Sequence, residues 1–186
     1  MRIVAGAWRG RRLTAPAGDA TRPTADRARQ ALFDVLTHAP FAGRTALHDA
    51  AVLDAFAGTG ALGLEALSRG AASARFIEQD RAALAALRAN ITACRAEERA
   101  RVIVADALRP PRAEAAASLV FLDPPYGQGL VPRAVAALAA GGWIAPGALM
   151  VAEIGAGEEP PVIAGMRTLE ERRWGAARVV FLRAEA

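Results

Sequence analysis

Lysine is missing: all 23 basic residues of this 186-residue chain are arginine, a bias we read as codon usage. Cysteine is almost missing too. Cys94 stands alone, which excludes an internal disulfide. Only His38 and His48 could join it as ligands, and no spacing among the three suits zinc, so no metal is expected. The opening MRIVAGAWRG has neither a long apolar core nor a small-residue cleavage site, which argues against a secretory signal. The longest uncharged stretch, residues 134–152, reaches membrane-spanning length, but Gly141-Gly142 and Pro146-Gly147 break it into helix, turn and strand. A cytoplasmic protein without a membrane partner is expected.

What is present is the composition of a folded domain. Hydrophobic residues make up 53% (48 alanines inflate the figure) and charged residues 23%, which argues against a disordered chain. The length fits one domain with a small appendage. The net charge of +4 is unevenly spread. Residues 1–30 hold seven arginines (Arg2, Arg9, Arg11, Arg12, Arg22, Arg27 and Arg29) against Asp19 and Asp26, whereas the rest holds 16 arginines against 17 acids. The excess is confined to an N-terminal arm. That arm is either a solvated basic tail or a surface for a polyanion, drawn by phosphate neutralisation and counterion release.

Residues 2–5 and 11–14 have strand character around a turn through Gly6–Gly10, which predicts a β-hairpin with Trp8 and Arg9 near its tip. A helix is predicted over residues 26–37, with Ala28, Leu32, Val35 and Leu36 on one face. Pro40 and Gly43 close this unit, so residues 1–45 are read as an extension and 46–186 as the main domain. From about residue 50, strands predicted at 52–55, 74–78, 101–105, 119–122 and 149–154 alternate with helices at 61–69, 81–93, 112–117 and 131–140. That rhythm predicts an α/β fold, a mostly parallel sheet with helices on both faces. Residues 168–174 and 177–183, around Gly175, read as a closing antiparallel hairpin.

Gly58, Gly60 and Gly63 form G-x-G-x-x-G between the first strand and its helix. In a dinucleotide site a pyrophosphate would lie on the helix N-terminus and Glu78 would grip the ribose hydroxyls. Close packing of helix on strand is the plainer use of such glycines. Asp54, ending the strand, repels a pyrophosphate and suits a cation. S-adenosylmethionine carries an ammonium and a sulfonium and no phosphate. The second motif, Asp123-Pro124-Pro125-Tyr126, follows the fourth strand, at the edge where open α/β sheets bind ligands. Two prolines supply no N–H donors. The loop offers a carboxylate, free carbonyls and an aromatic face, an acceptor-only clamp for a planar amino group with a ring to stack on its base.

Asp54-x-Phe56-x-Gly58-Thr59-Gly60 together with Asp123-Pro124-Pro125-Tyr126 resembles the class I S-adenosylmethionine-dependent methyltransferases that act on amino nitrogens. Gly6-x-Trp8-Arg9-Gly10-Arg11-x-Leu13, Arg22-Pro23-Thr24-x-Asp26-Arg27-x-Arg29 and Ala61-Leu62-Gly63-Leu64-Glu65-Ala66-Leu67 narrow the likeness to the RsmD family. The resemblance covers most of the chain and is least distinctive after residue 155. It implies a Rossmann-like class I methyltransferase fold with a small N-terminal hairpin and helix. The implied reaction is methyl transfer to the exocyclic N2 of a guanine in 16S ribosomal RNA, inside a small ribosomal subunit or its assembly intermediate, by a monomer. The cofactor set would be Asp54, Phe56, Ala57, Gly58, Thr59, Gly60, Glu78, Gln79, Asp106 and Ala107. Asp106 would accept from the adenine amino group; a helix N-cap is its alternative use. Asp123, Pro124, Pro125 and Tyr126 would hold and present the base. Trp8, Arg9, Arg11, Arg12, Arg22, Arg27 and Arg29 would meet the RNA, unless Trp8 merely plugs the hairpin. Glu153, ending the fifth strand, could line the pocket. Gln30 departs from the family, which usually has glutamate there, so any ion pair at that position is weakened. The rivals are a DNA adenine-N6 methyltransferase, which shares Asp-Pro-Pro-Tyr, an NAD(P)-dependent oxidoreductase, and a catalytically silent RNA-binding module. The first needs a base-reading domain for which the chain leaves little room.

Overall fold

The computed structural model describes residues 1–16, 23–43, 46–174 and 177–185. Arg22 and Gly175 lie outside the described residues. The elements in order are α1 (Pro23–His38), β1 (Ala51–Asp54), α2 (Ala61–Ser68), β2 (Ser73–Glu78), α3 (Arg81–Cys94), β3 (Ala100–Val104), β4 (Ala117–Leu122), α4 (Leu130–Ala140), β5 (Ile144–Gly155), β6 (Met166–Trp174) and β7 (Ala177–Ala184).

The strands form one sheet in the order β3-β2-β1-β4-β5-β7-β6. The first five are parallel, and β7 runs antiparallel between β5 and β6. The central strands are continuous apolar runs because both faces are covered. Val52, Phe76, Leu119, Phe121, Leu149 and Val151 face a core shared with α1, α2 and α3. Their neighbours Leu53, Ile77, Val120, Leu122, Met150 and Ala152 face α4. From β1 the chain winds outward to β2 and β3, and from β4 the other way to β5. The crevice beyond the carboxyl ends of β1 and β4 is therefore the topological switch point, where such sheets bind ligands.

One expectation of the fold is corrected by the structure. Residues 112–117 form no helix. Pro110-Pro111 remove two amide donors, and the backbone that follows is claimed from outside. The Ala113 amide donates to the Gly141 carbonyl at 2.9 Å, the Ala117 amide to Trp143 at 2.7 Å, and the Arg75 guanidinium to the carbonyls of Ala115 and Ala116. The arm closes as the expected hairpin about the antiparallel bridge of Arg2 with Arg12, with the Ile3 amide donating to the Arg11 carbonyl at 2.9 Å, Gly10 to Ile3 at 2.8 Å and Leu13 to Met1 at 3.1 Å. Other amides of the arm turn inward. Val4 and Ala5 donate to the Glu65 carboxylate at 2.8 and 3.0 Å, and Ala7 donates to the Ser68 carbonyl at 2.8 Å. Glu65 is fully buried on α2, with Arg69 Nε at 2.7 Å and Arg29 Nε at 3.7 Å. Ile3, Leu13, Phe33 and Leu36 complete the seam, in the same core as the sheet. Gln30, neutral where the family pattern has an acid, still accepts from Arg69 at 3.2 Å.

Candidate active site

The glycines divide their work. Gly58 has φ +53° and open space where a side chain would stand, so the backbone there is bare toward the crevice. Gly60 has φ +78°, and a side chain on it would strike Leu87. One on Gly63 would strike the Phe76 ring, so this third glycine serves packing. Thr59 is held from behind. Asn90, buried on α3, donates to the Thr59 carbonyl at 2.9 Å and also exchanges hydrogen bonds with the Thr14 backbone of the arm.

Two amides of the glycine turn already have carboxylate partners. Gly58 N–H donates to Glu78 Oε2 at 2.7 Å and Gly63 N–H to Asp54 Oδ2 at 3.0 Å. This argues against the dinucleotide reading on chemistry alone. Asp54 is 1% exposed, and its Oδ1 has no hydrogen-bond partner. Burial, reinforced by the Glu78 charge and opposed by the Gly63 bond, pushes its carboxyl up to about 7. A buried, half-satisfied carboxylate beside a bare glycine turn is a fitting seat for a cation, and S-adenosylmethionine passes that test. Glu78 also accepts from Gln79 and Asp80, which places Gln79 at the rim. Phe56 packs half-buried on the α4 side. Asp106 caps no helix; one oxygen accepts from Leu108 N–H at 2.9 Å within a turn, beside buried Ala107.

The Asp-Pro-Pro-Tyr loop stands on the next strand. Asp54 pairs with Phe121, two residues before Asp123, and adjacent strands lie about 4.8 Å apart. One small ligand can bridge both motifs. Desolvation, then the charges of Glu153 and Asp54, push the Asp123 carboxyl upward, although the residue keeps an open face to water. Tyr126 is half-exposed, and its hydroxyl donates to Glu153 Oε1. Pro124, Pro125, Tyr126 and Glu153, with the start of α4 and residues 158–161, wall a cleft of about 400 Å³. Among the described residues no cluster of three or more metal-ligating side chains occurs. No described helix is long and apolar enough to cross a membrane.

The arm residues separate. Arg9, Arg11, Arg12 and Arg27 are exposed, and Arg11 also donates to the Ala93 carbonyl. Trp8 is half-buried, with the Arg99 guanidinium 5.1 Å from its ring centroid. Arg29, expected to meet RNA, is corrected: it is 6% exposed and pairs with Asp26 at 2.7 Å and with Glu65, so its charge is neutralised inside the fold. Sequence reasoning missed Glu65 and Asn90 as the arm's anchors. It set Glu153 aside, though a carboxylate at a strand's carboxyl end is the same signal that marked Asp54.

Residues 1–183 match the model of the family described as conserved hypothetical protein 95. Over 154 residues the chain is 43% identical to ribosomal RNA small subunit methyltransferase D of Escherichia coli K12, covering 82% of this chain and 74% of that protein. The chain belongs to the RsmD methyltransferase family. The Haemophilus influenzae protein of the same name is 38% identical over 157 residues, covering 82% and 78%. A solved structure, described as the putative methyltransferase yhhF from Escherichia coli, superposes with a TM-score of 0.83 at 37% identity, covering 100% of this chain and 98% of that one. The family match begins at residue 1, so it takes in the arm as well as the sheet.

Proposed function

We propose that this chain moves a methyl group to the exocyclic N2 of a guanine in 16S ribosomal RNA, acting as a monomer on a small ribosomal subunit or its assembly intermediate. Methylation of ribosomal RNA with S-adenosylmethionine as cofactor follows from the family. The observation that carries the finer reading is the acceptor-only lip, Asp123-Pro124-Pro125-Tyr126, one strand away from the half-satisfied Asp54. Bound S-adenosylmethionine supplies a methyl group already activated by its sulfonium. The chain's own residues seat it and present the base. Asp54 balances the cofactor's positive charge beside Gly58 and Gly60, with Phe56, Ala57 and Thr59 shaping the turn. Glu78 and Gln79 meet the ribose, and Asp106 and Ala107 the adenine edge. Asp123 and the Pro124 carbonyl accept the two amino protons of guanine. That turns the nitrogen lone pair out of conjugation and toward the methyl. Tyr126 stacks on the base, and Asp123 or water removes the proton as the N–C bond forms. Orientation and charge placement carry the rate.

Incubation of enzyme and labelled cofactor with naked 16S RNA, small subunits and duplex DNA tests this. Label is expected in N2-methylguanine of the RNA substrates; label in adenine or in duplex DNA overturns it. The extension, residues 1–45, is assigned to RNA through Arg9, Arg11, Arg12 and Arg27, with Trp8 beside them; Arg22 belongs to this set by sequence. Replacing Arg9, Arg11 and Arg12 by Ala is expected to flatten log K against log[salt] by about 0.7–0.9 for each phosphate no longer neutralised. Calorimetric affinity for S-adenosylmethionine stays as in the wild type. An unchanged slope removes these arginines from the RNA interface.

A further inference from the structure

The cleft beside Tyr126 contains a carboxylate that the reaction above leaves unused. Glu153 follows Ala152, the last residue of β5 paired with β4, and is half-buried in the cleft wall beside the Asp-Pro-Pro-Tyr loop. Its neighbour Glu158 is fully committed. One oxygen accepts from Gly127 N–H at 2.6 Å and the other from Gly155 N–H at 2.8 Å, bracing the loop to the end of β5. Glu153 meets one donor among the described residues, the Tyr126 hydroxyl at Oε1. Its second oxygen remains for a ligand.

The polar character of this lip is one-sided. Asp123 and Glu153 are carboxylates, Pro124 and Pro125 have no N–H, and the Tyr126 proton is turned to Glu153. Such a surface fits an edge made of donors alone. Guanine has one: N1–H stands next to the N2 amino group. Adenine and cytosine place a ring-nitrogen lone pair next to their amino groups, which would face a carboxylate with no proton between them. A site built to receive a hydrogen bond rejects the analogue that cannot give it.

The geometry points to Glu153 as the specificity residue of the reaction, accepting from guanine N1–H while Asp123 and the Pro124 carbonyl accept from N2. This rests on the guanine-N2 reading and supplies its base selectivity. The same carboxylate fixes the Tyr126 hydroxyl, so one side chain sets both the stacking ring and the edge that is read.

The test uses RNA substrate carrying either guanine or 2-aminopurine at the methylated position. 2-Aminopurine keeps the N2 amino group, replaces N1–H by a lone pair and lacks O6, so the change of the ratio in Glu153→Gln isolates the contact at N1. The wild type is expected to prefer guanine in kcat/KM by about ten- to a hundredfold. In Glu153→Gln the side-chain amide can donate to the lone pair, and the ratio falls toward one, with calorimetric cofactor affinity unchanged. Tyr126→Phe slows both substrates but keeps the guanine preference, because the carboxylate survives. Equal use of both bases by the wild type overturns the assignment. So does a Glu153→Gln variant that discriminates like the wild type, or a Tyr126→Phe variant that loses the preference. If the wild type forms no N2-methylguanine, the underlying reading itself has failed, and this assignment with it.

Discussion

Asp123→Ala is expected to lose about a hundred- to a thousandfold in kcat, the usual scale for removing a preorganised charge at the reacting atom. Cofactor affinity by calorimetry should stay within error, because Asp123 stands on the lip and not in the glycine turn. Without it the Pro124 carbonyl holds one amino proton alone, and the base can rotate its lone pair away from the methyl. The pH profile carries the same information. Only the ionised carboxylate accepts without also donating. Desolvation and the charges of Glu153 and Asp54 raise the Asp123 carboxyl above its ordinary 3.8. The rate therefore climbs with pH, and its acid limb lies well above that value. In Glu153→Gln one repelling charge is gone, and the limb moves to lower pH. A loss below tenfold in Asp123→Ala, or an acid limb that stays put in Glu153→Gln, contradicts this assignment.

Asp54→Asn should strengthen the ligand-free fold and weaken the cofactor. The Asp54 carboxyl rises from 3.8 to about 7 in the folded chain, chiefly through burial. Folded protein thus holds this proton more tightly than unfolded chain does, and stability falls as pH rises between those values. At the top of that window the cost is about 4 kcal/mol, since a tenfold change in proton affinity is worth about 1.4 kcal/mol. Asparagine keeps an acceptor for Gly63 N–H and carries no charge. Its Tm should exceed the wild type's by roughly 8–16 °C at pH 8 and match it near pH 4. Affinity for S-adenosylmethionine should drop about ten- to a hundredfold, the worth of one charged hydrogen bond. Saturating cofactor then narrows the gap between the two melting curves by about 1.4–2.8 kcal/mol, the free-energy equivalent of that affinity loss. Coincident curves at pH 8 without ligand would show that Asp54 is not strained.

The parallel sheet could be read from the sequence because its physics is local: runs such as Leu119–Leu122 are apolar on both sides, and Gly58–Gly60 and Pro124-Pro125 punctuate their ends. Asp54 and Asp123 were visible for the same reason, each abutting a turn signal at a strand's end. Residues 112–117 failed because their alanines favour a helix, while the Arg75 side chain and the loop after α4 take the backbone from far along the chain. Arg29 is expected at the RNA surface, and Glu65 carries no role in the sequence reading. Their burial depends on meeting across the fold, which no spacing encodes. Glu153 has Gly155 two residues on, but it stands in no motif comparable to Asp-Pro-Pro-Tyr, so the sequence marks it only as a strand-end acid that could line the pocket.

The placement of Glu65 bears on how this protein can be taken apart. Its carboxylate is satisfied by amides at positions 4 and 5 and by Arg29 and Arg69. Deleting the first sixteen residues would not yield a lighter catalyst that has merely lost its grip on RNA. It would strip two amide donors from a fully buried carboxylate, leaving it to Arg29 and Arg69, and would open the core where Ile3 and Leu13 pack, on the very helix that follows the cofactor turn. Affinity for RNA must therefore be dissected by trimming exposed guanidinium groups one at a time, never by shortening the chain.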